Sequence, residues 1–169
     1  MNEHYGNEGI PAEYQTIAEA LRAQVQQVRQ KHIPPRINKI TAVPESDGNV
    51  AVARLEIFSN PKQIYWFEAT SKKSPLNIPG ENGGPPQWFH PRLDKALQGE
   101  YYNDAHAEYK LFNAIAAKIQ ESNLPHDLEG ILYLYTERDT CSGCYLTGDE
   151  FNQRFPNIRV IIFYDRLYP

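Results

Sequence analysis

His106-Ala107-Glu108, Gly130-Ile131-Leu132-Tyr133-Leu134-Tyr135, Cys141-Ser142-Gly143-Cys144 and Ile158-Arg159-Val160-Ile161-Ile162-Phe163-Tyr164 follow one another in the C-terminal half of this chain. Together they set its architecture. From His106 onward Leu111, Phe112, Ile115, Ala116 and Ile119 recur at helical spacing until Pro125, with Asp104 placed to cap the helix. Gly130 to Tyr135 is a short apolar run rich in β-formers, and Ser142 to Phe155 reads as a second helix. The run from Ile158 to Tyr164 shows no alternation, which is expected of a central parallel strand buried on both faces.

Upstream, Ile17, Leu21, Val25 and Val28 predict a helix from about Pro11 to Lys31, stopped by Pro34-Pro35. Val50 to Phe58 and Ile64 to Ala69, joined through Asn60-Pro61, read as an antiparallel strand pair. Trp66 falls in that alternation as a core residue, and Ile37 to Val43 reads as a strand or extended lead-in. The first ten residues, polar and with two glycines, are expected to be frayed. Residues 74–99, dense in proline and glycine, read as a long loop that either walls or covers the active site or is a surface loop pinned by two aromatics. The predicted order is helix, strand, strand, helix, strand, helix, strand.

With 169 residues, 41% hydrophobic and 22% charged, the chain is expected to form one domain over 1–169 around a single core. No apolar run approaches the roughly 20 residues needed to cross a bilayer, and Met1 to Tyr14 lacks the order of a signal peptide. A net charge of −4 excludes a strongly basic phosphate-binding domain, so any nucleic-acid contact must be local. Local basic candidates include Lys72, Lys73 and Arg138.

The two cysteines, three apart, favour metal or redox use over a mutual disulfide. A thioredoxin-type C-x-x-C is the rival reading, but that motif normally follows an early strand and needs no H-A-E upstream. One imidazole and two thiolates, His106, Cys141 and Cys144, make a three-ligand zinc set whose fourth position stays open to water. Glu108, beside it and unligated, can move protons. Such a site suits hydrolytic attack on an amidine carbon. A closed structural site would need a fourth ligand, for which His90 or His126 are the candidates.

On these residues the chain resembles the zinc-dependent cytidine deaminase-like superfamily, and within it the bacterial polymorphic-toxin deaminases. The matching stretch runs from Asp104-Ala105-His106-Ala107-Glu108, through Gly130 to Glu137 and Cys141-Ser142-Gly143-Cys144, to Val160. The resemblance implies a three-layer α/β/α sandwich whose mixed sheet carries an antiparallel N-terminal hairpin. It also implies Zn2+ held by His106, Cys141 and Cys144, with Glu108 as proton shuttle. One departure stands out: the family's H-x-E…P-C-x-x-C has proline where this chain has Thr140. The chain also ends just after its fourth expected strand, whereas many relatives continue.

The implied reaction is conversion of cytosine to uracil in DNA, single- or double-stranded, with RNA or a free nucleoside as alternative substrates. A zinc-stabilised interaction module without turnover is the reading from another class. Bases that react inside a polymer must be unstacked and gripped by aromatic and hydrogen-bonding groups. Trp88, Phe89, Tyr102, Arg138 and Thr140 are the candidate substrate contacts. The resemblance further implies a monomeric toxin domain, secreted or delivered as part of a larger protein, acting in the target-cell cytoplasm and blocked by an immunity protein.

Overall fold

A computed structural model describes residues 2–42, 44–45, 48–71, 88–89, 92–96, 99–102 and 106–167. Its elements in chain order are β1 (Asn2–Gly6), α1 (Gln15–His32), β2 (Arg36–Ile37), β3 (Pro44–Glu45), β4 (Val50–Ile57), β5 (Gln63–Thr70), β6 (Leu93–Ala96), β7 (Gly99–Tyr102), α2 (Ala107–Glu121), β8 (Gly130–Arg138), α3 (Ser142–Arg154) and β9 (Ile158–Arg166). Five of the strands form one sheet in the order β1-β9-β8-β4-β5. β4 runs antiparallel to both β5 and β8, while β9 is parallel to β8 and to β1. The sheet is therefore mixed, as the resemblance implied.

Strand alternation divides the core into two halves. Ala51, Ala53, Leu55, Leu132, Leu134, Val160 and Ile162 pack with residues of α2 and α3 on one face of the sheet. Val50, Val52, Tyr135, Ile161 and Phe163 pack with Ala18, Leu21, Val25 and Val28 of α1 on the other. This is the three-layer α/β/α arrangement. Leu21, fully buried, gains about 1.5–3 kcal/mol from that burial. β9 lies inside the sheet and buries Val160, Ile161, Ile162 and Phe163 together, which explains its unbroken apolar run.

Several expectations need correction. The segment read as frayed contains β1, which adds to β9 in parallel with Asn2 opposite Val160 and Gly6 opposite Tyr164. Its polar sequence hid it because an edge strand is held by main-chain bonds and needs few apolar side chains. His4 stacks on Tyr145 of α3 at 4.2 Å, and Tyr5 turns to Tyr14 and Phe163 on the α1 side. Trp66 is 44% exposed, since β5 is the sheet's other edge; the guanidinium of Arg54 lies over its ring.

Within the loop expected over 74–99, residues 93–96 pair with 99–102 as the antiparallel hairpin of β6 and β7. Residues 74–87, 90–91 and 97–98 lie outside the described residues, as do Lys72 and Lys73. Asp104, expected as a helix cap, also lies outside them, and the N-cap of α2 is His106. The lead-in over Ile37 to Val43 reduces to the two-residue β2, paired with β3. Among the described residues no helix is long and apolar enough to cross a membrane.

β8 starts on Gly130 because the neighbouring strand passes too close for a side chain. A Cβ there would stand 2.3 Å from the backbone oxygen of Glu56. At Gly148 the nearest atom, 2.4 Å away, is the amide nitrogen of Asn2, whose side chain can turn aside. Gly130→Ala is therefore expected to cost about 1–3 kcal/mol in a urea titration, and Gly148→Ala distinctly less. Equal losses would contradict this packing.

Candidate metal centre and active-site pocket

Two helices begin at one place. β8 and β9 are parallel neighbours joined through α3, so α3 starts beyond the C-terminal end of β8, with Cys141 as its N-cap. His106 is the N-cap of α2 and Glu108 lies in its first turn. Both caps have extended backbone, with φ −72° and ψ 142° at His106 and φ −68° and ψ 166° at Cys141. Their side chains therefore project ahead of the helices toward each other.

The His106 Nδ1 atom stands 3.1 Å from the Cys141 Sγ and 3.6 Å from the Cys144 Sγ. All three ligand atoms lie within 4.8 Å of one another. Tetrahedral zinc with ordinary Zn–N and Zn–S lengths separates such atoms by roughly 3.5–3.8 Å, so the donor set fits. His106, Cys141 and Cys144 can hold a metal ion. Both cysteines are buried and neither is in a disulfide.

The surroundings favour thiolate at Cys141. Its sulfur accepts from the Cys144 thiol and from the Cys144 backbone N–H at 3.3 Å, and it faces the His106 ring. Hydrogen bonding from Cys144 and His106 outweighs burial and brings its pKa down to about 5. The positive end of the α3 dipole acts in the same direction.

Glu108 is 3% exposed, and its carboxyl is raised above the usual range chiefly by burial. The hydroxyl of Thr136 donates to its Oε1 at 2.6 Å, and Asn49 Nδ2 donates to the same oxygen at 2.8 Å. A second hydrogen of that amide reaches Thr136 Oγ1 at 2.8 Å, while Asn49 Oδ1 accepts the Arg138 N–H at 3.2 Å. Asn49 is held in turn by Ser71, whose hydroxyl accepts its N–H at 2.7 Å and whose N–H donates to its carbonyl at 2.9 Å. Gly48, Asn49, Ser71, His106, Ala107, Glu108, Arg138, Asp139 and Cys141 line one cavity of about 140 Å³.

The structure thus brings Arg138 into the same cavity as Glu108 and the metal-binding group. Trp88, Phe89 and Thr140 are not among the residues lining that cavity. Phe89 is buried in the core against Phe151, its carbonyl accepting from the Tyr109 hydroxyl at 2.7 Å. Trp88 lies under the Arg154 guanidinium, and its N–H donates to Asn113. Neither lines the cavity. Thr140 is buried beside Cys141 without facing the cavity, and Tyr102 belongs to β7 with its side chain outside the described residues. His126 packs edge-on to Phe155, away from the three ligands, and His90 lies outside the described residues.

Sequence reasoning passed over Asn49, Ser71 and Thr136. A Gly-Asn pair and a threonine at a strand end are ordinary in sequence; only the fold joins Asn49, Ser71 and Thr136 to Glu108. Cobalt(II) titration of metal-free protein should give thiolate-to-metal absorption, and Cys144→Ser or His106→Ala should weaken binding. The expected loss exceeds the roughly 10–100-fold typical of removing an outer-shell partner. Unchanged affinity would contradict the ligand assignment.

A search of curated proteins finds no match to the chain. The model of the Toxin-deaminase family, described as the BURPS668_1122 family of deaminases, matches residues 90–166. That span holds β6, β7, α2, β8, α3 and β9, with His106, Glu108, Cys141 and Cys144 among its residues. Asn49, β4 and β5 lie outside it. Over residues 90–166, less than half of its length, this chain is similar to the toxin-deaminase family.

Proposed function

We propose that residues 1–169 act as one hydrolytic deaminase domain that converts cytosine to uracil in DNA. The observation that carries this reading is the placement of Glu108. Its carboxyl lies in a cavity lined by two of the three metal donors, His106 and Cys141, and its Oε1 is held by Thr136 and Asn49. A closed structural metal site would have no use for such a carboxyl.

When bound by the three donors, zinc supplies a Lewis acid that lowers the pKa of water from roughly 15.7 to about 7. Glu108 then handles the protons. It takes one from the attacking water and passes it to the ring nitrogen beside the amino-bearing carbon. Addition of the hydroxyl oxygen to that carbon and departure of the amino group as ammonia convert the C–NH2 to C=O, with Glu108 carrying the added hydroxyl's proton to the leaving nitrogen. Asn49 and Thr136 fix Oε1 and so orient the carboxyl that exchanges protons.

Polymeric substrate is supported by position. Arg138, at the cavity, and exposed Arg166 are opposite each other in the β8–β9 register, where they can receive a phosphate backbone despite the net charge of −4. Cytosine as the base follows from the resemblance of the H-A-E and C-x-x-C motifs. The family also supports a toxin role: a domain delivered as part of a larger secreted protein, acting in the target-cell cytoplasm and restrained by an immunity protein.

Incubation with single-stranded DNA, duplex DNA, RNA and cytidine, scored for uracil, tests the substrate. Product on DNA is expected; product on RNA or cytidine alone would move the reading to those substrates. Absence of product on all four would leave a metal-stabilised interaction module. Glu108→Ala should retain about one zinc per chain while losing about 10²–10⁴-fold in rate. Full turnover by that variant would refute the proton-shuttle role.

A further inference from the structure

On the opposite face of the sheet from the candidate site lies a buried ion pair that the proposed chemistry does not use. Arg29, near the end of α1, is 5% exposed, and arginine is almost never buried without partners. Its guanidinium donates to both oxygens of Glu137, Nε reaching Oε2 at 3.1 Å and Nη2 reaching Oε1. It also donates to the Ile33 carbonyl at 3.2 Å and to the Gly48 carbonyl at 3.4 Å. Glu137 Oε1 accepts the Val50 N–H at 2.9 Å.

These bonds enclose one residue. The carbonyl of Gly48 and the N–H of Val50, on either side of Asn49, are both tied to the Arg29–Glu137 pair. The Asn49 side chain points through to the other face, where Thr136, Arg138 N–H and Glu108 receive it. Thr136 and Glu137 are consecutive in β8, so their side chains leave on opposite faces by strand geometry. The last three residues of β8 therefore grip the 48–50 segment from both sides of the sheet.

We infer that Arg29 and Glu137 are positioning residues for deamination: they hold the backbone that aims Asn49 at Glu108. The inference rests on the proposed function for the part Glu108 plays. Without Arg29, the Glu137 carboxylate would face the Gly48 carbonyl with no cation between them, and the two would separate. Asn49 would move with Gly48. The metal donors, anchored on α2 and α3, would not.

The test is a double-mutant cycle on the full chain loaded with zinc. Arg29→Met should lower kcat/KM by on the order of tenfold to a hundredfold, the scale of a small misplacement at a reacting group. Zinc content should stay unchanged and near-UV circular dichroism native. Arg29→Lys, with charge but no fork, should fall between. Arg22→Met, which removes the exposed ion pair with Asp165 on the same helix, should match wild type.

Adding Arg29→Met to Asn49→Ala should lower kcat/KM by no more than about twofold beyond Asn49→Ala alone, because the two act through one contact. A merely structural role would give additive losses. Hydrogen exchange at the Val50 amide, read without substrate, should quicken in Arg29→Met. Should that variant not fold, Glu137→Gln carries the same cycle and the same exchange reading. Additive losses, full activity or unchanged exchange would overturn the inference. If wild type deaminates no substrate, the proposed function fails while exchange still reports on the tether.

Discussion

Convergence of two helix N-termini on one point is the constraint from which the rest of this site follows. A strand–helix–strand unit with parallel strands must start its helix beyond the end of its first strand, and this sets Cys141 at the C-terminal end of β8. α2 packs beside α3 on the same face and starts at His106. The positive dipole ends of both helices make the shared space electropositive. Thiolates are stable there, and His106 and the cysteines come within bonding range of a common ion.

The end of β8 adds the second half of the design. Through Tyr135 the strand is apolar apart from its first glycine; then Thr136, Glu137 and Arg138 turn it polar. A strand sends consecutive side chains to opposite faces, so these residues serve both faces of the sheet. Thr136 meets Glu108, Glu137 meets Arg29, and the backbone of Arg138 meets Asn49. The first residues of β4 are thereby fixed against the site, although the family match begins only at residue 90.

Much of this was legible in the sequence where period and residue chemistry agree. Leu21, Val25 and Val28 marked α1, the alternation from Val50 marked β4, and the unbroken Ile158–Tyr164 run marked β9 as central. His106, Glu108, Cys141 and Cys144 stood out because few chemistries use those types at that spacing. What escaped depended on partners distant in sequence. β1 is polar and gains its strand conformation from β9; Asn49 becomes important only when β4 is laid beside β8. For Trp88 and Phe89 the sequence left base and core equally open, since an aromatic pair near a motif suits either; here Phe89 joins the core with Phe151.

Zinc-edge X-ray absorption on the folded protein is the most direct measurement of whether His106, Cys141 and Cys144 form one open metal centre. Two sulfurs at about 2.3 Å and two nitrogen or oxygen neighbours at about 2.0–2.1 Å are predicted, one of the latter being solvent. A shell without sulfur, or protein that folds and purifies with no metal at all, would contradict it.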